Sequence, residues 1–251
     1  LKSNVNLDLI QRTNDQTTVA FVNNNKKPQF IFYSKDTAFK NLRTFSLKKN
    51  IYKKIKLSHF SSISLALQPS ANTLLKLIKF LKTNTSSIIS IDPNIRPGII
   101  KNKKWYLKRF KEYLYYGDII KMSDEDYKYL SKKKYDTQIL KWIKEYNISV
   151  FILTLGERGT ILYTNKFKIN VKAKKTKTKD TVGAGDCFIA GIIFFLEKFN
   201  NLNLISLNKI SEKNWLNCLN FASIISSINC KREGCDPPYY KEVGKFIKFQ
   251  K

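Results

Sequence analysis

The residues with the clearest potential for chemistry form the segment 180–186, D-T-V-G-A-G-D, which leads directly into an apolar stretch that predicts a helix. Gly183 and Gly185 have no Cβ, so consecutive backbone N–H groups can converge on one point there. A helix that starts at this point adds free amides and the positive end of its dipole, which favours a bound anion. Asp186 would lie beside that anion and could accept the proton of an attacking hydroxyl group. The same residues also fit a plain glycine turn with a carboxylate that stabilises a helix start.

Two further polar segments follow predicted strands. Asp92, Pro93 and Asn94 are turn formers, so they fit the simple end of a strand as well as a binding site. The acidic cluster 124–126 fits the start of a helix as well as a metal site. His59 is the single histidine, and its position in a predicted strand favours a packed group over a catalyst.

The composition excludes several other functions. The four cysteines form no C-x-x-C pair, and with one histidine the chain lacks the ligands of a zinc site. No apolar stretch reaches the roughly 18 residues that span a bilayer, and the first residues contain no apolar core of a signal peptide. So few cysteines also argue against a disulfide-dense secreted scaffold. We therefore expect a cytoplasmic protein without a membrane partner.

The net charge of +27 at pH 7 would suit binding to nucleic acid or to an anionic membrane. The 46 basic residues, however, include only six arginines, the residue that best forms paired contacts with phosphates and guanine edges. The lysine excess accompanies abundant asparagine, isoleucine, tyrosine and phenylalanine, which indicates a bias of composition. We expect no specific nucleic-acid partner, although such a field would still attract an anionic substrate.

Helical and strand-like segments alternate along most of the 251 residues, which suit one large domain with a substantial core. The predicted strands are 56–65, 87–91, 118–122, 150–155, 160–164 and 167–172. The predicted helices begin at Ser70, as an N-cap, and near Tyr106, Asp124, Asp136, Gly185, Asn214 and Tyr240. This alternation indicates an α/β fold with a mostly parallel sheet that is covered on both faces.

The beginning of the chain lies outside this alternation. Residues 17–22 and 29–33 are β-prone, and the turn formers at 23–28 predict a hairpin between them. A hairpin separate from the main sheet can serve as a lid. We therefore expect a lid region over residues 1–35 and an α/β domain over residues 36–251. The basic run at 172–179 is expected to be an exposed strand that leads to the glycine segment.

Five segments in a fixed order resemble the PfkB (ribokinase-like) family of carbohydrate kinases. Residues 180–186 match its D-T-x-G-A-G-D signature. The others are S-I-D-P-N-I-R-P at 90–97, K-M-S-D-E-D at 121–126, T-L-G-E-R-G at 154–159 and C-K-R-E-G-C-D-P-P at 230–238. The runs 19–22 and 30–33 are also similar to the lid of the fructokinase branch. The resemblance covers essentially the whole chain and implies a three-layer ribokinase-like fold with a small β lid.

The resemblance implies roles for single residues in phosphoryl transfer. Asp186 is the expected catalytic base, which takes the proton of the sugar hydroxyl group. The backbone amides of Gly183, Ala184 and Gly185 are expected to stabilise the charge on the phosphoryl group in transit.

The resemblance also implies how the substrates and metals are bound. The expected ATP contacts are Thr154, Gly156, Gly159 and Gly234. Asn94 and Arg96 are the expected contacts to the sugar. Asp126 is expected to hold Mg²⁺ through water, and Asp180 to help bind a monovalent cation such as K⁺. Ser123 departs from the family pattern, because other branches have asparagine at this position.

The start of the chain is the largest departure from the family. Members begin with a strand that carries a substrate-binding aspartate, followed by a Gly-Gly signature and an asparagine that contact the sugar. The sequence has none of these, opens on Leu1, and has its one methionine at Met122. We interpret it as truncated at its N-terminus, with the phosphate-transfer residues present and half of the sugar site absent.

The expected activity is that of an ATP-dependent fructokinase, which converts fructose to fructose 6-phosphate. A 2-keto-3-deoxygluconate-type sugar kinase is an alternative, because the D-P-N-x-R segment is similar in that branch. A truncated, non-catalytic protein that binds a partner is a second alternative. The resemblance further implies a homodimer that forms through the lid.

Overall fold

A six-stranded sheet organises the fold, which the computed structural model describes for residues 5–23, 29–43 and 49–247. The strands of these residues are β1 (Val19–Asn23), β2 (Gln29–Tyr33), β3 (Leu57–Ser61), β4 (Ile88–Asp92), β5 (Ile119–Ser123), β6 (Val150–Thr154), β7 (Thr160–Tyr163) and β8 (Lys168–Val171). The sheet contains β3 to β8 in chain order. β3 to β6 are parallel, and β7 and β8 continue the sheet antiparallel. The mostly parallel sheet is thus confirmed.

Helices cover both faces of this sheet. They are α1 (Lys49–Tyr52), α2 (Ser70–Asn84), α3 (Lys103–Tyr116), α4 (Asp124–Leu130), α5 (Tyr135–Tyr146), α6 (Ala184–Lys198), α7 (Leu204–Leu207), α8 (Glu212–Cys230) and α9 (Tyr240–Val243). Successive strand residues point to opposite faces, so Ile88 and Ile119 pack against α6 and α8, while Ile89 and Ile120 pack against α2, α3 and α5. The result is the expected three-layer arrangement. Within the described ranges, no helix is both long and apolar enough to cross a membrane.

The register of the parallel strands brings their carboxyl ends to one edge of the sheet. Ser61 pairs with Asp92, and Ser123 pairs with Thr154. The last paired residues of β4 and β5 are Ile91 and Ile120. The next residues of the two strands, Asp92 and Lys121, therefore lie side by side. The polar residues at the strand ends therefore meet at a single edge, the edge at which open α/β sheets bind ligands.

Two predicted boundaries near the start of the sheet are wrong. β3 ends at Ser61 instead of residue 65, because Ser62 has a left-handed φ of 71° and begins a 3₁₀ turn. Ser70 is the first residue of α2 instead of its N-cap. Its hydroxyl group donates to the backbone carbonyl groups of Phe39 and Lys40, at 2.8 and 2.6 Å, so a contact with a distant segment replaces the local capping bond.

β1 and β2 form the separate antiparallel pair that the sequence predicts. The turn residues 24–28 lie outside the described residues. On one face of this pair, Val19, Phe21, Ile31 and Tyr33 are 46–64% exposed. A two-stranded sheet is only marginally stable alone, so an apolar face of this kind needs a further surface to cover it.

Close packing of α6 against α8 generates a test of the fold. A Cβ on Gly191 of α6 would lie 3.0 Å from the Cα of Ala222 in α8. We expect Gly191→Leu to lower the free energy of unfolding by about 1–3 kcal/mol, because the added side chain forces the helices apart. Ala190→Leu, on the exposed side of the same helix, should change it by less than about 0.5 kcal/mol. Urea unfolding of both variants measures this, and equal effects would contradict the packing described.

Candidate active site

A cavity of about 1110 Å³ opens at the carboxyl ends of β4, β5 and β6. Its walls include part of β2, the start of α6, the C-terminal half of α8 and the segment 173–178. The predicted site residues that line it are Asn94, Arg96, Asp126, Thr154, Gly156, Gly159, Gly183, Ala184, Gly185 and Asp186. Asp180 and Gly234 are not among the residues of its lining, although both contact the glycine segment.

The glycine segment leaves backbone N–H groups free at the start of α6. Gly183 has a left-handed φ of 76°, which favours glycine, and α6 begins at the next residue. Among the described residues, no acceptor receives the N–H groups of Gly183, Gly185 or Asp186. The amide of Ala184, which the resemblance assigns to the same group, donates to the carbonyl group of Thr181 at 3.1 Å. The free amides and the positive end of the α6 dipole together can bind an anion, and we call this position the anion site.

Contacts from α8 and the loop after it hold this segment in place. The Asp180 carboxylate accepts the amides of Val182, at 2.9 Å, and of Gly234, at 3.0 Å. The Asn229 side-chain amide donates to the Val182 carbonyl group, and the Ser226 hydroxyl group donates to the first carbonyl group of α6. Asp180 and Gly234 therefore stabilise the backbone that forms the anion site.

Asp186 lies in the first turn of α6, and its exposed side chain is part of the cavity wall. A carboxylate is electrostatically favoured at the N-terminus of a helix. No described residue donates a hydrogen bond to this carboxylate, so it is free to accept a proton from a hydroxyl group held in the cavity. One free carboxylate beside free amides is an arrangement that can support transfer of a phosphoryl group to an alcohol.

The three acids at the start of α4 have different surroundings. Asp126 is buried, accepts hydrogen bonds from the amide and the hydroxyl group of Ser123, and accepts the amide of Ile95 at 2.6 Å. Burial raises the pKa of this carboxyl group, against the effect of the bonds from Ser123. Glu125 is exposed at the cavity. Asp126 thus closes a capping box and ties the end of β4 to α4.

Asp124, the third acid, is held by basic side chains and a tyrosine. Arg158 and Lys128 donate to its carboxylate at 2.6 and 2.9 Å, and the Tyr135 hydroxyl group donates as well. Burial would raise the pKa of Asp124, but these hydrogen bonds and charges lower it overall. Within the described residues, no group of three or more His, Cys, Asp or Glu side chains could hold a metal ion by itself.

The predicted sugar contacts lie together at the end of β4. Asn94 has a left-handed φ of 40°, and its backbone N–H group donates to the Asp92 carboxylate at 3.3 Å. The Arg96 guanidinium group donates to the carbonyl groups of Asn94 and Ile95, at 3.2 and 3.1 Å. Both residues line the cavity.

Three of the four predicted nucleotide contacts, Thr154, Gly156 and Gly159, lie at the turn between β6 and β7, while Gly234 lies in the loop after α8. The Thr154 hydroxyl group donates to the Met122 carbonyl group at 3.3 Å, which links β6 to β5. Gly159 has a φ of 103°, and a Cβ there would lie 2.0 Å from the Val171 carbonyl oxygen, so this tight turn requires glycine.

Two features of the cavity were not predicted. Lys121 on β5 forms a buried ion pair with Asp92, at 2.6 Å, and lines the cavity. A charged residue inside the apolar run of β5 is a sequence signal that could have drawn attention to it. The basic run at 172–179 is irregular instead of a strand, and its Lys174, Thr176 and Thr178 also line the cavity. Pairing in β8 ends at Val171, which leaves the run free to cross to the glycine segment.

Comparison with known sequences places this fold and site in one family. The sequence profile described as pfkB family carbohydrate kinase matches residues 2–242. The chain is 32% identical over 213 residues to a fructokinase of Rhizobium leguminosarum bv. trifolii, covering 84% of this chain and 64% of that protein. It is 30% identical over 229 residues to probable fructokinase-5 of Arabidopsis thaliana, covering 90% of this chain and 68% of that protein. The chain belongs to the PfkB family of carbohydrate kinases and spans about two thirds of the length of these relatives.

Solved structures show the same fold. A fructokinase with bound ATP from Xylella fastidiosa superposes with a TM-score of 0.88 at 21% identity, over 98% of this chain and 78% of that chain. A double mutant of the fructokinase from Vibrio cholerae O395, bound to fructose, ADP and a potassium ion, gives 0.72 at 23% identity, over 87% and 68%. These matches confirm the ribokinase-like fold that the motifs imply.

His59, under the anion site, generates a pH-dependent prediction. Its Nδ1 lies 3.0 Å from the Ser90 hydroxyl group, and burial lowers its pKa below the usual 6.5, although Asp92 acts in the opposite direction. The unfolded chain therefore binds a proton at this residue before the folded chain does. We expect the contribution of His59 to the free energy of unfolding to fall as the pH drops below about 7, and this contribution to level off below the lowered pKa. Urea unfolding at several pH values should show a weaker fall in the free energy of unfolding for His59→Gln than for wild type. His59 is the single histidine of the sequence, so no other imidazole contributes. Parallel pH profiles of the two proteins would contradict this prediction.

Proposed function

We propose that the protein transfers the γ-phosphoryl group of ATP to a hydroxyl group of a sugar, with fructose as the acceptor and fructose 6-phosphate as the product. One observation carries the proposal. The free amides at the start of α6 lie beside the free carboxylate of Asp186, and both line the same cavity. Membership of a carbohydrate kinase family and the identity to two fructokinases support it.

In the proposed reaction the sugar hydroxyl group loses its proton to Asp186 while its oxygen attacks the γ-phosphorus. The bond from that phosphorus to the ADP oxygen breaks, and ADP leaves with the electron pair. The amides of Gly183 and Gly185 donate to the oxygens of the group in transit, where negative charge must be held. The ADP part of the nucleotide would contact Thr154, Gly156 and the segment 173–178.

The acidic residues near β5 fit a magnesium ion that is bound through water. One oxygen of Asp126 already accepts two hydrogen bonds, but the other accepts only the amide of Ile95 and keeps a lone pair. Asp126 and the exposed Glu125 would therefore hold waters of Mg²⁺ bound to ATP, which neutralises phosphate charge. The Asp180 carboxylate would help a K⁺ ion, as the potassium ion in the Vibrio cholerae fructokinase suggests.

The lid supports a second part of the proposal, a homodimer. The face of Val19, Phe21, Ile31 and Tyr33 is apolar and exposed. Burial of such a face stabilises an assembly by about 25 cal/mol for each Å² removed from water. A second copy of the chain offers an identical apolar face, so two lids can cover each other about a two-fold axis.

Asp186→Asn provides the direct test of the proposed base. We expect phosphoryl transfer to fall by about 10²–10⁴-fold, because general base catalysis contributes that much, while the affinity for ATP changes little. Glu197→Gln, at the far end of the same helix, is the matched control and should keep wild-type turnover. A coupled assay for ADP release measures the rates. Turnover of Asp186→Asn within a few-fold of wild type would remove Asp186 from the mechanism.

A panel of sugars with ATP tests the acceptor. We expect fructose to have the highest kcat/KM, because the two sequence relatives are described as a fructokinase and a probable fructokinase. A higher value for 2-keto-3-deoxygluconate would replace fructose with a sugar acid. If the folded chain phosphorylates no sugar but binds a protein partner, the non-catalytic alternative is supported instead.

A further inference from the structure

Lys121 is a buried cation at the floor of the candidate active site. Its ammonium group lies 2.6 Å from the Asp92 carboxylate, and the two side chains are 6% and 1% exposed. The register of β4 and β5 makes these residues neighbours at the carboxyl edge of the sheet. Both side chains point to the α6 face, since they alternate with Ile91 and Ile120, which belong to the core on the other face.

The same ammonium group also lies against the start of α6. A Cβ placed on Gly185 would be 3.1 Å from Lys121 Nζ, so the cation lies next to the residue that carries one of the free amides. Of the three N–H groups of a lysine, one is satisfied by Asp92. Lys121 is also one of the residues that line the cavity.

This position is electrostatically unfavourable unless an anion completes it. The N-terminus of a helix carries about half a positive charge, which repels a neighbouring cation. Among the described residues, Asp92 is the carboxylate that forms an ion pair with Lys121. A buried ion pair is also a weak source of stability, because desolvation cancels much of the attraction, and apolar residues of similar size would stabilise the fold as well. The pair is therefore better explained by a ligand than by folding.

We propose that Lys121 is a further catalytic residue of the proposed phosphoryl transfer, and that Asp92 is the positioning residue that aims it. The Lys121 ammonium group donates a hydrogen bond to an oxygen of the phosphoryl group in transit, together with the amides of α6. It keeps all its protons during the reaction. The proton of the sugar hydroxyl group goes to Asp186, and the electron pair of the broken bond goes to ADP.

Variants of Lys121 and Asp92 test this inference, which rests on the proposed function. Removal of one donor from an oxyanion hole costs about 10²–10³-fold in kcat, and we expect this loss for Lys121→Met, with the KM for ATP within about three-fold of wild type. The double variant Lys121→Met/Asp92→Asn leaves no unpaired buried charge. We expect it to fold like the wild type and to remain as slow as Lys121→Met.

Lys82→Met is the matched control, because Lys82 pairs with the buried Asp118 at 2.5 Å, below the amino end of β5 and away from the cavity. It should keep the wild-type kcat. If the double variant recovers the wild-type kcat, Lys121 serves only to neutralise Asp92, and the inference is wrong. The double variant also decides the matter where Lys121→Met alone does not fold.

Binding of a transfer-state mimic separates this inference from the proposed function. ADP with aluminium fluoride, titrated by calorimetry, should bind the double variant at least ten-fold more weakly than wild type, while ADP alone binds both equally. If wild type phosphorylates no sugar but this difference is present, the proposed acceptor fails and Lys121 remains an anion ligand. Equal binding of the mimic by both proteins would overturn the role of Lys121.

Discussion

The site depends on one constraint, which is that the first N–H groups of a helix cannot be satisfied inside that helix. In α6 these groups open into a cavity, because the glycine segment turns into the helix without a capping side chain. Asp180, which could have capped the helix, instead accepts Val182 and Gly234. The orphan amides of Gly183 and Gly185 are thereby reserved for a ligand, and an anion is the ligand that such groups prefer.

The parallel sheet explains why the other polar groups lie opposite these amides. Strands of one direction end at one edge, so residues far apart in the chain, such as Asp92, Lys121 and Thr154, become neighbours there. The α6 face of this edge collects charged and polar groups, while the other face collects buried apolar ones. Anion-binding amides above and a buried ion pair below thus enclose the position where charge would move.

The sequence allowed a correct prediction of the mostly parallel sheet and of the longer helices that cover it, because both depend on local spacing. The motifs at 90–97, 121–126, 154–159 and 180–186 were identified through the family resemblance, and residues of each motif line the cavity. The free amides of Gly183 and Gly185 follow from two residues without Cβ. What failed depended on distant contacts. Ser70 bonds to the carbonyl groups of a remote segment, and the pairing of Lys121 with Asp92 depends on strand register. Periodicity could not show that the run 172–179 leaves the sheet, since this requires knowing where β8 pairing ends.

Exposed charges and buried charges have different effects on the binding of a ligand. A net charge of +27 surrounds the protein with a field that attracts nucleotides, but salt screens exposed charges beyond about 8 Å at physiological ionic strength. The many surface lysines can therefore raise the encounter rate without choosing the bound geometry. Orientation must come from groups that are fixed and shielded from water, namely the α6 amides and the Lys121–Asp92 pair. Because a preorganised donor loses little energy in reorganisation, these few groups matter more to the proposed chemistry than the whole excess of surface charge.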